Sequence, residues 1–301
     1  MANLPHPIQY QGSKRNLASD ILRFLPNKIG RLVEPFSGTA AISIAAAARQ
    51  VSQKFWINDL NLPLIKLLEL IIEQPDKTAY LYTKIWNEQH GNSVEHYYKI
   101  RDEFNKTNDP FLFLYLLSRC VKGSVRYNSD GLFNQSPDKR RKGTRPEKMR
   151  QNIEGVSHLL KNKCLFTALD YKNVLAKVDN TDFVYMDPPY QGVCGNRDSR
   201  YCSGISFDEF VSAIEVLNRK AIKFAISYDG KRGNKIFGKK LPEYLGLKKI
   251  QIEVGRSSQA TLLGKQEITV ESLYLSPTLL RDCSPEIENY ILGFPKQLTL
   301  L

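Results

Sequence analysis

The sequence predicts an α/β fold in which a parallel sheet carries helices on both faces and is interrupted by a mainly helical insertion. Short apolar runs that each end at a polar residue alternate with segments of helical spacing, which is typical of β-α-β units. One of these runs, at residues 183–186, is Phe-Val-Tyr-Met followed at once by an acid and two prolines. That pattern indicates a buried strand that stops abruptly.

The first region of the chain, residues 1–61, is predicted to form a strand, a helix and a second strand. Residues 31–34 form the first strand, residues 35–38 a tight loop, and residues 39–49 an alanine-rich helix that Thr39 is placed to cap. The second strand, residues 54–58, ends at Asp59. This order implies a β-α-β unit and therefore parallel strands.

The second region, residues 62–151, has helical spacing at residues 64–72 and 111–116 and few strand signals, so we expect a mainly helical insertion. The third region, residues 152–301, resumes the sheet. Strands are predicted at residues 163–169, 183–186, 221–227, 249–254 and 267–274, with a helix at residues 207–220. The sheet domain therefore comprises residues 1–61 and 152–301.

Carboxylates follow several of the predicted strands. They are Glu34, Asp59, Asp170 and Asp187. Ligands of open α/β sheets bind at the carboxyl ends of the strands, and four acids at that edge are hard to explain as structure alone. In Asp187-Pro188-Pro189-Tyr190 the carboxylate and a backbone carbonyl can accept hydrogen bonds from a planar amino group, while the tyrosine ring stacks on the attached base. We expect this tetrapeptide to be catalytic.

The turn after the first strand has the layout of a nucleoside site. Glu34-Pro35-Phe36-Ser37-Gly38-Thr39 leads from a strand into a helix, and Asp59 after the next strand is placed to hold ribose hydroxyls. The three-glycine phosphate fingerprint is missing, and Glu34 would repel a phosphate. An acid there suits a ligand with a positive group instead. S-adenosylmethionine has an adenosine, an α-amino group and a sulfonium, and no phosphate.

Positive charge is concentrated in the basic stretch, residues 119–150, of a chain whose net charge is +12. An excess of this size favours polyanions, nucleic acid above all. The stretch also holds aromatic and amide side chains, and amides and arginines are the groups that hydrogen-bond base edges. The candidate nucleic-acid contacts are Lys122, Arg126, Tyr127, Asn128, Asn134, Gln135, Lys139, Arg140, Arg141, Lys142 and Arg145.

These motifs, in this order, resemble the Dam-like N6-adenine DNA methyltransferases. The resemblance implies a Rossmann-like S-adenosylmethionine-dependent methyltransferase sheet with an inserted target-recognition domain at residues 62–151. It implies cofactor contacts by Tyr10 and Lys14 of the segment Tyr10-Gln11-Gly12-Ser13-Lys14, and an acidic–aromatic pair, Asp170-Tyr171, beside the cofactor adenine. The family often has a further glycine after the cofactor loop, where this chain has Ala40 and Ala41.

Two later segments carry further parts of the resemblance. Tyr201 and Phe207 resemble residues that follow the tetrapeptide and line the target pocket. Arg256-Ser257-Ser258, with Glu271 later, resembles a carboxyl-terminal segment that approaches the DNA. The implied reaction is direct transfer of the methyl group to the N6 amino group of an adenine flipped out of double-stranded DNA, which leaves S-adenosylhomocysteine and needs no metal.

Other functions stay open on the sequence. Transfer to cytosine N4 uses similar chemistry, although those enzymes usually have Ser in place of the Asp. Carbon-5 cytosine methylation commonly uses a cysteine after a proline, and none of the five cysteines follows one. An RNA adenine methyltransferase would have the same catalytic group, and a catalytically silent nucleic-acid-binding protein would not need it.

The setting of the protein is also predicted. Scattered, odd-numbered cysteines favour free thiols in a reducing cytoplasm, and no apolar run is long enough to span a membrane. We expect a monomer, since adenine can be methylated one strand at a time. A role as the modification enzyme of a restriction–modification system is the favoured setting. A cognate restriction endonuclease acting on the same site is the partner that such a role implies.

Overall fold

The computed structural model describes residues 4–189, 205–232, 235–237, 239–256 and 268–281. The chain begins with a short helix, α1 (Ala18–Ile21), and then alternates strands and helices in β1 (Arg31–Glu34), α2 (Ala41–Ala48) and β2 (Phe55–Asn58). Five helices follow: α3 (Leu62–Glu73), α4 (Pro75–Asn87), α5 (Ser93–Thr107), α6 (Pro110–Arg119) and α7 (Pro146–Leu160). The predicted β-α-β unit and the helical character of the second region are confirmed.

The remaining elements complete the sheet. They are β3 (Cys164–Thr167), α8 (Tyr171–Leu175), β4 (Asp182–Met186), α9 (Phe207–Arg219), β5 (Lys223–Arg232), β6 (Lys235–Phe237), β7 (Lys248–Arg256), β8 (Ile268–Leu275) and α10 (Pro277–Arg281). The main path of the sheet has the order β3-β2-β1-β4-β5-β8-β7, and β6 pairs with β5. The strands β3 to β5 on this path are parallel, whereas β8 is antiparallel to both of its neighbours. The order reverses between β1 and β4, which is where such sheets bind ligands.

Alternate residues of each central strand pack into different cores. In β4, Phe183 and Tyr185 belong to one buried cluster, while Val184 and Met186 belong to the other. The first cluster contains residues of α2, α3 and α7, and the second contains residues of α8 and α9. Because side chains of a strand point to opposite faces in turn, apolar residues at every position require helices on both faces. The predicted layering is therefore confirmed.

The helical segment shares its core with the sheet. The cluster that contains Leu32 and Phe55 of the sheet continues without a break through Leu67 of α3, Leu116 of α6 and Ile153 of α7. Helix α7 packs on α3 and α4 and also on α2. The hydrophobic core therefore crosses the predicted boundaries at residues 61/62 and 151/152.

The prediction that Thr39 caps the first long helix is wrong. Helix α2 begins at Ala41, and Ala40 precedes it with left-handed backbone angles (φ 54°, ψ 36°) and no capping side chain. The amide of Ser43, in the first turn, donates instead to the Glu34 carboxylate at 2.9 Å. Thr39 Oγ1 lies 3.1 Å from Ser13 Oγ. A carboxylate from the end of β1 thus takes the place of a local cap.

Among the helices in the described part of the chain, none is long and apolar enough to cross a membrane.

Candidate active site and nucleic-acid interface

A cavity of about 550 Å³ lies at the carboxyl edge of the parallel strands. Its walls come from the N-terminal segment, the loops after β1, β2, β3 and β4, the start of α9, and β8. All the residues predicted to contact the cofactor line it: Tyr10, Lys14, Glu34, Phe36, Ser37, Gly38, Thr39, Asp59, Asp170, Tyr171 and Asp187. The volume is in the range of pockets that bind small molecules and cofactors.

The cavity is acid-rich, although the protein is strongly basic. Its described lining has six carboxylates and two lysines. The carboxylates are Glu34, Asp59, Asp170, Asp187, Glu209 and Glu271, and the lysines are Lys14 and Lys172. Clefts lined by one sign of charge concentrate ligands of the opposite sign. The cavity therefore favours a cationic ligand, whereas the whole chain favours a polyanion.

Glu34 ends β1 as a buried carboxylate, with 2% of the residue exposed. Its Oε1 accepts hydrogen bonds from the amide and the hydroxyl of Ser43. Burial raises the pKa of Glu34 to about 7, the two bonds from Ser43 lower it, and the nearby Asp187 charge raises it further. The group therefore changes charge near neutral pH, and a positive ligand group beside it would favour the ionised form.

Asp59 is held by two backbone amides. Its Oδ2 accepts from Gly38 N and its Oδ1 from Asn61 N, both at 3.0 Å. Gly38 has a φ of +50°, a conformation that residues with a Cβ rarely adopt, so this position favours glycine. Burial raises the pKa of Asp59, while the two amide bonds lower it. Each oxygen keeps a lone pair, so the carboxylate can still accept from two neighbouring hydroxyls.

Asn58, to which no sequence pattern pointed, joins three strand ends. Its amide donates to the carbonyls of Pro35 and Leu169, both at 2.9 Å. Its oxygen accepts from Thr167 Oγ1 at 2.7 Å and from Leu169 N at 2.9 Å. The side chain is fully buried. It fixes the loops after β1 and β3, which carry Phe36 and Asp170, against each other.

Aromatic rings form one wall of the cavity. Phe36 and Tyr171 lie with ring centroids 5.1 Å apart, and Phe210 of α9 packs against both. Burial raises the pKa of Tyr171 to about 12. Asp170 caps α8 by accepting from Lys172 N at 2.8 Å, so this predicted cofactor contact also has a local structural task.

Asp187 directly follows β4, whose Tyr185 also lines the cavity. Pro188 and Pro189 line the cavity with it. Lys14 Nζ lies 3.1 Å from Asp187 Oδ1 and 3.1 Å from Glu271 Oε2 of β8. The structure thus places Glu271 in the cavity. The fourth residue of the predicted catalytic motif, Tyr190, and Tyr201 lie outside the described residues.

The basic stretch contributes exposed cations to the surface of the protein. Its exposed candidates are Arg126, Asn134, Lys139, Arg140, Arg141, Lys142 and Arg145. Arg140 and Arg141 have 88% and 75% of their side chains exposed, and Asp138 lies 3.5 Å and 3.7 Å from their Nε atoms. Ser257 and the side chains of Lys122 and Arg256 lie outside the described part of the chain.

Side chains of α4, α5, α6 and the turn after α4, most of them buried, hydrogen-bond to the backbone of the basic stretch. Arg119, with 1% exposed, belongs to this scaffold rather than to the charged surface. The contacts with backbone atoms are Asn105 with Phe133, Tyr97 with Gln135, Arg119 with Asp138, Gln89 with Lys142 and Tyr82 with Thr144. These bonds keep an irregular segment in one conformation, so its exposed cations are presented from a fixed surface.

Two candidate base contacts are engaged within the protein. Tyr127 is half-buried against Phe133, with ring centroids 6.0 Å apart. Asn128 Oδ1 accepts from the amides of Asp130 and Leu132 at 3.0 Å and 2.8 Å, which closes the turn at residues 128–132. Gln135 is half-buried. Among these candidates, Asn134 presents its side chain with the greatest exposure.

Two bonded connections join the cavity to the basic stretch. Asn61, which bonds Asp59, donates through Nδ2 to Tyr127 OH at 3.3 Å. In the N-terminal segment, Gln11 N donates to Gly123 O at 3.0 Å. A Cβ at Gly123 would lie 2.8 Å from the Gln9 backbone, so this close approach requires glycine. The cavity lining and the basic stretch are therefore in direct contact.

The sequence of this chain is similar to those of known proteins. The family described as D12 class N6 adenine-specific DNA methyltransferase matches residues 10–253. The DNA adenine methylase of Escherichia coli K12 is 32% identical over 187 residues, which is 61% of this chain and 64% of that protein. The chain thus spans just under two thirds of that relative's length.

Two further relatives are covered more fully. The type II methyltransferase M.MjaIII of Methanocaldococcus jannaschii is 29% identical, over 67% of this chain and 73% of that protein. The DNA adenine methylase of Vibrio cholerae O395 is 27% identical, over 73% of this chain and 78% of that protein.

Among solved structures, the rRNA methyltransferase aviRa of Streptomyces viridochromogenes is 13% identical with a TM-score of 0.38, covering 91% of this chain and 90% of that one.

Proposed function

Since this chain belongs to the D12 class N6 adenine-specific DNA methyltransferase family, we propose that it transfers a methyl group from S-adenosylmethionine to the N6 amino group of adenine in double-stranded DNA. The observation that carries the proposal is the position of Asp187. This acceptor lies at the end of β4 in an acid-rich cavity that is bonded to an exposed basic stretch. A hydrogen-bond acceptor, a site for a cation and a site for a polyanion are thus combined.

The lining of the cavity fits S-adenosylmethionine, which supplies an activated methyl group when bound. Glu34 and the surrounding carboxylates suit its positive charges. Asp59, with one lone pair of each oxygen still available, suits the two ribose hydroxyls. Phe36 and Tyr171 offer ring faces to the adenine. A phosphate-containing cofactor would meet repulsion from the same carboxylates.

The target nitrogen needs help, because its lone pair is delocalised into the adenine ring. The Asp187 carboxylate and the Pro188 carbonyl accept hydrogen bonds from the two N–H groups of the adenine amino group. These bonds draw the nitrogen towards a tetrahedral geometry, which localises its lone pair. Tyr190 stacks on the base and fixes its orientation. Holding donor and acceptor in near-attack geometry supplies much of the remaining acceleration.

The new N–C bond would replace the S–C bond of the sulfonium, so the cofactor would leave as S-adenosylhomocysteine. One N6 proton would leave along the hydrogen bond to Asp187 and pass on to solvent. The chain's own residues therefore position and polarise the reactants, and no residue needs to form a covalent bond with them.

In a duplex the amino group is paired, so the adenine must be flipped out of the helix at a cost of a few kcal/mol. Exposed cations of the basic stretch would hold the phosphates of the distorted DNA. Anchoring of that stretch by buried side chains fixes the distance between the phosphates and the cavity. Such preorganisation reduces the entropy lost on binding.

The biological setting of the proposal is restriction–modification, with the enzyme acting as a monomer. A relative that carries the name type II methyltransferase supports this setting, whereas the relatives named DNA adenine methylase do not distinguish it. A cognate endonuclease that cleaves the same site is part of the same proposal. Protection of methylated DNA against that endonuclease would test it.

The reaction itself is tested with labelled S-adenosylmethionine and DNA that lacks adenine methylation. We expect N6-methyladenine from the wild-type protein. The variant Asp187→Ala should lose transfer by at least about 100-fold, the scale at which losing a positioned acid–base group reduces rate, while it keeps most of its DNA affinity. Asp208→Ala, which removes an exposed carboxylate of α9 outside the cavity lining, is the matched control.

The products separate the alternatives. Methylcytosine would overturn the assigned base, and transfer to RNA alone would overturn the assigned substrate. Tight DNA binding by the wild-type protein without transfer to either nucleic acid would identify a silent binding protein. Full activity of Asp187→Ala would contradict the proposed mechanism.

A further inference from the structure

Lys14 lies between two carboxylates of different strands. Its Nζ is 3.1 Å from Asp187 Oδ1, at the end of β4, and 3.1 Å from Glu271 Oε2, in β8. The lysine is 8% exposed and the two acids are 20% and 22% exposed. Solvent and salt screen partly buried ion pairs less than exposed ones, so the charge of each of these three groups affects the protonation of the other two.

The fold brings Glu271 to this position through an irregular strand pairing. Ser227 of β5 pairs with Leu273 and Gly230 pairs with Glu271, so two residues of β5, Tyr228 and Asp229, face one residue of β8. Such a bulge re-aims side chains next to it. Asp229 has a left-handed φ of 56° and accepts from Lys249 Nζ and Tyr274 OH, which hold the bulge in place.

Asp187 has two requirements that oppose each other: a cation is needed to orient the carboxylate, but the same cation weakens it as a hydrogen-bond acceptor. A lysine shared by two acids can meet both. A lysine bound to Asp187 alone would fix the carboxylate but draw off the electron density that the substrate amino group needs. Without Lys14, Asp187 would lose an ion pair at 3.1 Å while the carboxylates of Glu34 and Glu271 remain in the same cavity. When Asp187 and Glu271 share the charge of Lys14, the Asp187 carboxylate keeps its orientation and part of its basicity.

We propose that Lys14 and Glu271 are positioning residues for Asp187: Lys14 holds Oδ1, and Glu271 shares the lysine charge so that the carboxylate remains a strong acceptor for the substrate amino group. This inference rests on the proposed methyl transfer. It gives Lys14 a task beyond cofactor contact. It also gives Glu271 a task inside the cavity instead of at the DNA.

The charged and titratable neighbours of Asp187 set the direction of the expected changes. Those that line the cavity with it are Tyr10, Lys14, Glu34, Asp59, Asp170, Tyr171, Lys172, Tyr185, Glu209 and Glu271. Removing the positive charge of Lys14 takes away the cation that lies 3.1 Å from Asp187 Oδ1. Removing the negative charge of Glu271 leaves Lys14 to act on Asp187. The two substitutions should therefore move the acid limb of the pH–rate profile in opposite directions.

The experiment compares the wild-type protein with Lys14→Met, Glu271→Gln and the double variant. For each, kcat is measured against pH with saturating DNA and cofactor. Circular dichroism and thermal unfolding check the fold, because Lys14 itself lines the cofactor cavity. We expect the acid limb to move to higher pH in Lys14→Met and to lower pH in Glu271→Gln. Each single variant should lose roughly 10- to 100-fold in kcat, as positioning partners in metal sites do. The double variant should return towards the wild-type profile.

Failure of the inference differs from failure of the proposed function. An inactive wild-type protein would remove the proposed function. An active wild-type protein with both acid limbs unmoved, or moved in the same direction, would overturn the positioning role alone. Should Lys14→Met not fold, or not be saturated by the cofactor, Lys14→Arg replaces it. That variant keeps the charge, so its acid limb should stay at the wild-type pH, and a shift of this limb would contradict the inference.

Discussion

At the scale of single residues, Glu34 links protonation to ligand binding. Burial raises the pKa of this carboxyl to about 7, so the group is largely neutral below that pH and ionised above it. A positive ligand group beside Glu34 interacts favourably only with the ionised form. We therefore expect affinity for S-adenosylhomocysteine, which keeps the α-amino group, to rise as the pH increases through about 7. Calorimetric titrations on both sides of that pH measure this directly.

The matched control for this effect is Glu34→Gln. Glutamine keeps an oxygen that can accept from the Ser43 amide, so the start of α2 keeps its cap while the charge is removed. Its affinity should be lower above neutral pH and nearly independent of pH across this range. An equal pH dependence in both proteins would show that another group is responsible.

Several site residues could be predicted from the sequence because the residues next to them in the chain mark their position. Asp59 and Asp187 each follow an apolar strand, and a strand end of an α/β sheet faces the ligand edge. Asn58 carries no such signal. Its side chain joins the loop after β1 to the loop after β3, and only the folded sheet brings these loops together. Lys14 and Glu271 are separated along almost the whole chain, and only the sheet order brings them together.

At the scale of elements, the basic stretch combines a fixed backbone with exposed cations. We expect Arg140→Gln with Arg141→Gln to weaken DNA binding and to reduce the slope of log affinity against log salt by about 1 for each phosphate that the variant no longer neutralises. The reason is that each neutralised phosphate releases condensed counterions. Binding isotherms at several salt concentrations give the slope.

The control for this prediction removes two charges elsewhere. Lys28→Gln with Lys54→Gln changes exposed lysines at the amino ends of β1 and β2, opposite the cavity edge. This pair should leave the slope unchanged. An unchanged slope in the arginine pair would place the basic stretch outside the interface. Arg119 is unsuitable for the test, because its side chain is buried and bonded to two backbone carbonyls.

The order and type of the elements followed from the sequence more closely than their ends did. Strand β1 coincides with its prediction because Gly30 and Pro35 bracket it. Helix α2 begins two residues later than predicted, since Ala40 turns the chain with a left-handed backbone and Glu34 replaces the expected cap. A cap supplied from another strand is a tertiary contact, so a local pattern does not contain it.

At the scale of the whole molecule, opposite charges are sorted into different places. The basic stretch is exposed, whereas the carboxylates line the cavity at the sheet edge. The net charge of +12 therefore reflects exposed cations such as those of the basic stretch and gives no indication that the cavity is acidic. Composition could predict the first property, and strand-end residues could predict the second.

The continuous core makes a final prediction about stability. Because one buried cluster runs from Leu32 of β1 through Leu67 of α3 to Ile153 of α7, neither the sheet nor the helical segment can expose its face without destabilising the other. Removing residues 62–151 would uncover the side of the sheet that α3 and α7 bury. We expect the sheet and helices to unfold in one cooperative transition.

Calorimetry and hydrogen exchange measure this cooperativity, with Leu67→Ala and Phe183→Ala as probes of the two halves. Each substitution removes a fully buried side chain from the shared cluster, so each should cost roughly 3 kcal/mol or more and lower the midpoint of the same single transition. Amide protons of α3 and β4 should become exposed together in both variants. Two separate transitions, each sensitive to one substitution only, would instead show that the helical segment folds as an independent domain.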